Sequence, residues 1–195
     1  MKKLIFYFIK YCLSLAYGLS PTLGNRLAFT LFTRPLFQIQ KQSELKFLKE
    51  MENSWLHFEG NKIRIYKKGF GKRIILLVHG WRGYAGNFCE LMTLFPDHEY
   101  TLITFDAPAH NASTGKRTNV FQIIRLCSLL IESYMPDYIV GHSMGSAVAI
   151  SALTNVKHLD TEKLILLSCP NSFEYLVESF GKNFSLKPRN LNSFR

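Results

Sequence analysis

Two kinds of hydrophobic pattern divide the chain. In the first forty residues, apolar positions such as Leu4, Phe8 and Leu13 recur every three or four residues, which predicts an amphipathic helix over residues 4–17. After residue 43, short continuous apolar runs alternate with segments of helical periodicity. Strands that alternate with crossover helices predict an α/β fold with a mostly parallel sheet. We therefore expect an N-terminal helical segment, 1–43, followed by an α/β domain, 44–195.

The α/β region begins with a predicted antiparallel hairpin at 53–66, which turns at Gly60-Asn61. Apolar runs then predict four further strands, at 73–79, 100–105, 138–140 and 163–167. Helical patterns fill the intervals at 85–95, 119–135 and 144–153, and a last helix is predicted at 173–180. The long helix predicted at 119–135 has an apolar side that consists of Phe121, Ile124, Leu126, Leu129 and Leu130.

Composition narrows the class of protein. The 195 residues are 47% hydrophobic, which suits one compact domain and excludes a disordered chain. The net charge of +10 comes from the two ends, since residues 1–43 carry six cations and 182–195 carry four, both without an acid. Residues 44–181 hold 14 basic and 14 acidic side chains. A neutral centre argues against nucleic acid as a partner, whereas the basic N-terminal segment suits an anionic membrane surface.

Three interpretations of the N-terminal segment stay open: a secretion signal, a helix on a membrane surface, and a helix packed on its own domain. Lys10 interrupts the first apolar run, and Ala16-Tyr17-Gly18 is a weak cleavage site, so we expect the helix to be retained. The four cysteines lack metal-ligand spacing. We expect a cytoplasmic protein, at most peripheral to the inner face of the membrane, with no metal and no cofactor.

The sequence Gly141-His142-Ser143-Met144-Gly145 lies between a predicted strand and a predicted helix. This G-x-S-x-G pattern in a strand–turn–helix context places a serine on a sharp turn above the sheet. The two glycines, Gly141 and Gly145, let the strand and helix approach each other. Ser143 is therefore the candidate nucleophile, at a helix N-terminus that favours negative charge.

Two further motifs follow the preceding strands. In His79-Gly80-Trp81-Arg82-Gly83, a turn can aim the Trp81 backbone N–H at the same point as the Met144 N–H. Two such donors form an oxyanion hole, which stabilises the tetrahedral intermediate of acyl transfer. The other motif, FDAPAH, brings Asp106 and His110 to the end of the next strand. His79, Asp106 and His110 are candidate site-lining residues.

With HGWRG, FDAPAH and GHSMG in this order and spacing, the chain resembles the α/β-hydrolases over about residues 53–180. The resemblance implies a sheet that begins with the hairpin, Ser143 as nucleophile, and Trp81 and Met144 as backbone oxyanion donors. It implies a small-molecule ester or acyl substrate and leaves the oligomeric state undetermined. Ala109 and Asn111 stand where relatives often have glycine, and asparagine tolerates a left-handed backbone.

The chain departs from the family after the sixth strand. Family members place an acid and then a histidine after the serine, but here no histidine follows His158, which precedes that strand. We therefore expect a truncated chain without the last two strands, the catalytic acid and the catalytic histidine. We expect structural roles for His79 and His110, and support beneath the turn from His142. The leading hypothesis is an impaired serine hydrolase of the esterase or thioesterase type; the alternative is a non-catalytic remnant or binding protein.

Overall fold

A computed structural model of the protein describes residues 2–157 and 160–191, so His158 lies outside the described residues. The chain forms two compact units. The first comprises residues 1–37 and 170–195, and the second comprises residues 38–169.

The second unit contains a mixed six-stranded sheet. Its strands are β1 (Glu52–Phe58), β2 (Asn61–Lys68), β3 (Arg73–Val78), β4 (Tyr100–Phe105), β5 (Tyr138–His142) and β6 (Lys163–Leu167). Their order across the sheet is β1-β2-β4-β3-β5-β6. Strands β4, β3, β5 and β6 are mutually parallel, whereas β1 and β2 form an antiparallel hairpin and β2 pairs antiparallel with β4. The predicted α/β fold, with a mostly parallel sheet and an N-terminal hairpin, is confirmed.

The hairpin turns one residue earlier than the sequence analysis predicted. Phe58 and Asn61 are the last paired residues, so the loop consists of Glu59 and Gly60. Both have positive φ, 45° and 75°. Two left-handed residues between twisted strands are typical of the tight turn that hairpins favour. Asn61 is therefore the first residue of β2.

Four helices accompany this sheet: α3 (Gln42–Glu50), α4 (Cys89–Met92), α5 (Val120–Tyr134) and α6 (Met144–Asn155). The helix α3 is not among the predicted elements, because its surface is polar and only Glu44 and Leu48 are buried. The single helix predicted over 85–95 is also wrong. A 3₁₀ turn at Ala85–Phe88 leads into the one-turn α4.

The apolar side predicted for α5 is only partly buried. Phe121 is 68% exposed. The buried positions follow a regular three- and four-residue spacing: Ile123, Leu126, Cys127, Leu130 and Ile131. Because α5 is apolar on most of its circumference, the sequence pattern indicates a helix without fixing which side faces the sheet.

The first unit consists of α1 (Lys2–Leu19), α2 (Pro21–Phe32), α7 (Phe173–Phe184) and α8 (Pro188–Leu191). The helix predicted at 4–17 is confirmed, but its predicted apolar side is only partly buried. Leu13 and Ala16 are inside, whereas Leu4, Ile5 and Phe8 are exposed. Within the described ranges, no helix combines the length and hydrophobicity that a membrane span requires.

Candidate active site

The candidate site lies at one edge of the sheet. Because β3, β4 and β5 are parallel, their carboxyl ends meet at the same edge, where ligands of α/β folds bind. The three motifs of the sequence occupy the loops that follow these strands. The structure thus places the sequence-predicted residues of all three motifs along one edge of the sheet.

Ser143 forms a sharp turn between β5 and α6. Its backbone has φ 53° and ψ −126°, a strained conformation for a residue with a side chain. The Ser143 N–H donates to the Leu167 carbonyl of β6 over 2.7 Å. The hydroxyl of Ser146, one turn into α6, donates to the Gly141 carbonyl over 2.7 Å. These bonds hold the turn from both sides.

The two glycines of the turn are required by close approach. A Cβ on Gly145 would lie 2.1 Å from the Val78 carbonyl oxygen, because the start of α6 packs directly on the end of β3. A Cβ on Gly141 would lie 2.6 Å from the Ser146 Cα. Both distances are too short for any side chain, so alanine at either position would push α6 away from the sheet.

The loop after β3 lies against Ser143. A Cβ on Gly80 would lie 3.0 Å from the Ser143 Cβ and 3.5 Å from its Oγ. The loop is a tight turn in which Gly83 N–H donates to the Gly80 carbonyl over 3.0 Å, and Arg82 has φ 63°. Hydrogen bonds between described residues use neither the Trp81 N–H nor the Met144 N–H. Met144 opens α6, where the first N–H groups have no partner within the helix.

His79 is buried and uses both ring nitrogens on the backbone. Its Nδ1 lies 2.8 Å from the Gly80 carbonyl oxygen, and its Nε2 accepts from the Ala107 N–H over 3.0 Å. A carbonyl can only accept and an N–H can only donate, so the ring is neutral with its proton on Nδ1. His79 therefore ties the loop after β3 to the loop after β4.

His110, in the loop after β4, also uses both ring nitrogens on the backbone and connects this loop to the loop after β3. Its Nδ1 donates to the Pro108 carbonyl over 2.9 Å, and its Nε2 accepts from the Arg82 N–H over 3.2 Å. The ring of Trp81 packs edge-on against the His110 ring, with centroids 5.4 Å apart. His110 thus holds the loop that carries the Trp81 N–H.

Burial keeps both histidines neutral. Desolvation is the main cause that lowers the pKa of His110, to about 3, and the neighbouring His79 adds to it. Desolvation also lowers the pKa of His79. The expected role of His142 beneath the turn is wrong, because this side chain is exposed to solvent. It follows Gly141 at the end of β5, where the alternation of the strand directs it away from the core.

Asp106 is a fully buried carboxylate that organises the surrounding loops. One oxygen accepts from the Ala85 N–H over 2.9 Å; the other accepts from the Tyr66 hydroxyl over 3.0 Å, the Asn111 amide over 2.7 Å and the Ala112 N–H over 3.2 Å. Burial, and then the charge of Asp106, raise the pKa of Tyr66, which therefore remains a donor. Asp106 connects β2 with the loops after β3 and β4.

Sequence reasoning missed a second polar cluster behind the loop after β3. The Tyr84 hydroxyl donates to the buried carboxylate of Glu44, and the Asn87 side chain accepts from the Tyr84 N–H over 3.0 Å. Tyr84 is itself fully buried. Glu44 lies in the first turn of α3. The local sequence gives no indication of its role, because its partner Tyr84 lies forty residues further along the chain. Across the described ranges, no group of three or more His, Cys, Asp or Glu could hold a metal ion.

The order of the six strands and the serine on its turn together define an α/β-hydrolase fold. A family model described as "Serine aminopeptidase, S33" matches residues 71–174, which is more than half of the chain. The chain belongs to this family.

Individual relatives agree with this assignment. "Putative esterase/lipase 3" of Mycoplasma pneumoniae is 30% identical over 128 residues, which are 64% of this chain and 47% of that protein. The chain therefore spans about half the length of this curated relative. "Uncharacterized hydrolase YugF" of Bacillus subtilis is 28% identical over 103 residues, 50% of this chain and 37% of that protein.

Solved structures share the fold at low sequence identity. An α/β-hydrolase fold protein from Burkholderia ambifaria superposes with a TM-score of 0.55 at 18% identity, over 71% of this chain and 55% of that one. The thioesterase domain from the curacin biosynthetic pathway gives a TM-score of 0.54 at 22% identity, over 69% of this chain and 54% of that one.

Proposed function

We propose that the protein acts on carboxylic esters or thioesters by acyl transfer through Ser143. The observation that carries the proposal is the strained, positive-φ backbone of Ser143, which hydrogen bonds stabilise on both sides of the turn between β5 and α6. Strain of this kind persists where the surrounding structure enforces it, and it concentrates at functional sites. The names of the relatives, an esterase/lipase and a thioesterase domain, support the substrate class.

In the proposed reaction, the Ser143 Oγ attacks the carbonyl carbon of the substrate, and the carbonyl oxygen takes the negative charge. The free N–H groups of Trp81 and Met144 would donate to this oxygen. Collapse of the tetrahedral intermediate expels the alcohol or thiol, and water then releases the acid from the acyl-serine. This chemistry requires no metal and no organic cofactor.

We further propose that the 195-residue chain alone turns over slowly. Both ring nitrogens of His79 and of His110 are bonded to the backbone, so these histidines serve as positioning residues. No hydrogen bond of the described residues joins a histidine nitrogen to the Ser143 Oγ. A serine whose proton must pass to solvent is a weak nucleophile, and in subtilisin loss of the catalytic histidine costs on the order of 10⁶ in turnover.

The test compares the parent chain with Ser143→Ala, using a fluorophosphonate probe and a short-chain nitrophenyl ester. Ser151→Ala, on the same helix α6, is the matched control. We expect slow labelling of the parent and of Ser151→Ala, no labelling of Ser143→Ala, and ester turnover near background in all three. Equal labelling of Ser143→Ala would refute Ser143 as nucleophile and favour the non-catalytic alternative.

Fast turnover that Ser143→Ala abolishes would keep Ser143 as nucleophile and refute slow turnover. The exposed His142 would then be the first candidate base. Assay of His142→Asn beside His110→Gln would identify it, since only loss of the true base abolishes turnover while the fold is retained.

A further inference from the structure

The solvent-facing side of α1 is apolar. Six side chains spaced three or four residues apart share this side, and each is between 52% and 76% exposed. These residues, here called the outer face of α1, are Leu4, Tyr7, Phe8, Tyr11, Leu15 and Leu19. A contiguous exposed apolar surface of this kind marks an interaction site more often than scattered apolar residues do.

Packing within the first unit uses the opposite side of the helix. Leu13 and Ala16 are buried there. The ring of Phe6 lies 5.3 Å from that of Phe184 in α7. The Tyr17 ring covers Gly24 of α2, whose added Cβ would lie only 2.2 Å from it. The outer face is therefore not required to hold these helices together.

The charge of the first unit limits what can cover the outer face. Its residues, 1–37 and 170–195, carry nine Lys and Arg against two Glu, which is most of the net charge of +10. Residues 1–37 contain no acid at all. Lys10 lies on the flank of α1 between the two sides, where its ammonium is 5.5 Å from the centroid of the Phe6 ring. From this flank a lysine can extend to lipid headgroups while its stem stays on apolar surface. A second copy of this unit would bring like charges together, whereas an anionic surface would neutralise them.

We propose that the outer face of α1 binds the surface of a bilayer that contains anionic lipids. The helix would lie in the plane of the membrane, with its apolar side among the upper acyl chains and its cations at the headgroups. Tyr7 and Tyr11 suit this depth, because tyrosine has an apolar ring and a polar end and is enriched at membrane interfaces. The proposal is independent of the reaction at Ser143.

The experiment is flotation of the full chain with vesicles of phosphatidylcholine, with or without phosphatidylglycerol. We expect binding to the anionic vesicles, weaker binding to neutral ones, and a loss of binding at high salt. The double variant Phe8→Ser/Tyr11→Ser should bind at least about tenfold more weakly, because it removes the two central rings of the outer face. Phe121→Ser is the matched control, since Phe121 is an equally exposed phenylalanine on a helix of the second unit and should leave binding unchanged.

Absence of binding to anionic vesicles would overturn the proposal. Equal loss of binding in Phe121→Ser would also overturn it, because the effect would not belong to α1.

Light scattering without lipid provides a further check. A dimer that the double variant dissociates would show that a second copy covers the outer face, which contradicts the proposal. Ser143→Ala should bind vesicles like the parent, so failure of the proposed reaction and failure of membrane binding are distinguishable.

Discussion

The two strands that flank β5 have nearly the same composition and opposite environments. β3 reads Arg-Ile-Ile-Leu-Leu-Val and β6 reads Lys-Leu-Ile-Leu-Leu, and both pair in parallel with β5. Leu77 and Ile165 are even aligned with the same residue, Val140. Leu77 is nevertheless fully buried, whereas Ile165 is 45% exposed. An apolar run therefore predicts a strand, but its neighbours in the fold decide whether it is buried.

The two strands also contribute differently to the candidate site. The end of β3 continues into a loop that side chains fix in place, through His79, His110 and Asp106. β6 contributes a backbone group, the Leu167 carbonyl that accepts from the Ser143 N–H. We call β3 with its following loop the β3 side, and β6 with its end the β6 side. We expect side-chain replacements to lower the free energy of unfolding more on the β3 side than on the β6 side.

The largest expected loss of stability on the β3 side comes from Asp106→Ala. The buried Tyr66 hydroxyl and Ala85 N–H would lose their acceptor, so we expect the free energy of unfolding to fall by about 3–5 kcal/mol. Asp97→Ala is the control, because Asp97 is half exposed and pairs with Lys68 at the surface, where an ion pair contributes about 1 kcal/mol or less. Urea unfolding measures both. Similar losses in the two variants would contradict the organising role of Asp106.

The matched pair Leu77→Ala and Ile165→Ala tests the two strands directly. We expect Leu77→Ala to cost about 2–5 kcal/mol, since it leaves a cavity in the core, and Ile165→Ala to cost less than about 1 kcal/mol. Urea unfolding at several protein concentrations distinguishes the outcomes. A large, concentration-dependent loss for Ile165→Ala would mean that β6 is covered by another molecule in solution.

The two buried histidines predict that acid destabilises the β3 side. Their pKa is lowered in the fold, so below the ordinary histidine pKa of about 6.5 the unfolded chain binds protons that the folded chain does not. Stability is therefore fully present above this pH and is lost as the pH decreases; for His110, whose pKa is lowered to about 3, the loss approaches about 1.4 kcal/mol per pH unit. His110→Gln should therefore reduce this slope between about pH 6 and pH 5. An unaltered slope in His110→Gln would contradict the neutral state of His110.

Features that depend on residues close together in the chain are predicted correctly from the sequence. The strands from β3 to β6 begin at the predicted residues because each is a continuous apolar run, and Ser143 stands out because the glycine spacing is confined to five residues. The helix α3 escapes prediction because it buries only two side chains. The hydrogen bonds around Asp106 cannot be predicted from the sequence either, because Tyr66, Ala85 and Asn111 come from three separate segments that meet only in the folded chain.

The smallest expected effect is a gain of stability from Ala109→Gly in the loop after β4. Ala109 has φ 64°, a left-handed backbone that costs a residue with a Cβ about 1–2 kcal/mol. Glycine removes this cost, but its greater freedom stabilises the unfolded chain by about 0.4–1 kcal/mol, so the net gain should lie between about 0 and 1.6 kcal/mol. Ala112→Gly is the control, because Ala112 lies in the same loop outside the positive-φ residues and should lose stability from the unfolded-state term alone. Thermal unfolding of the two variants should shift the melting temperature in opposite directions; a decrease for both would mean that the loop after β4 does not hold Ala109 in the left-handed conformation in solution.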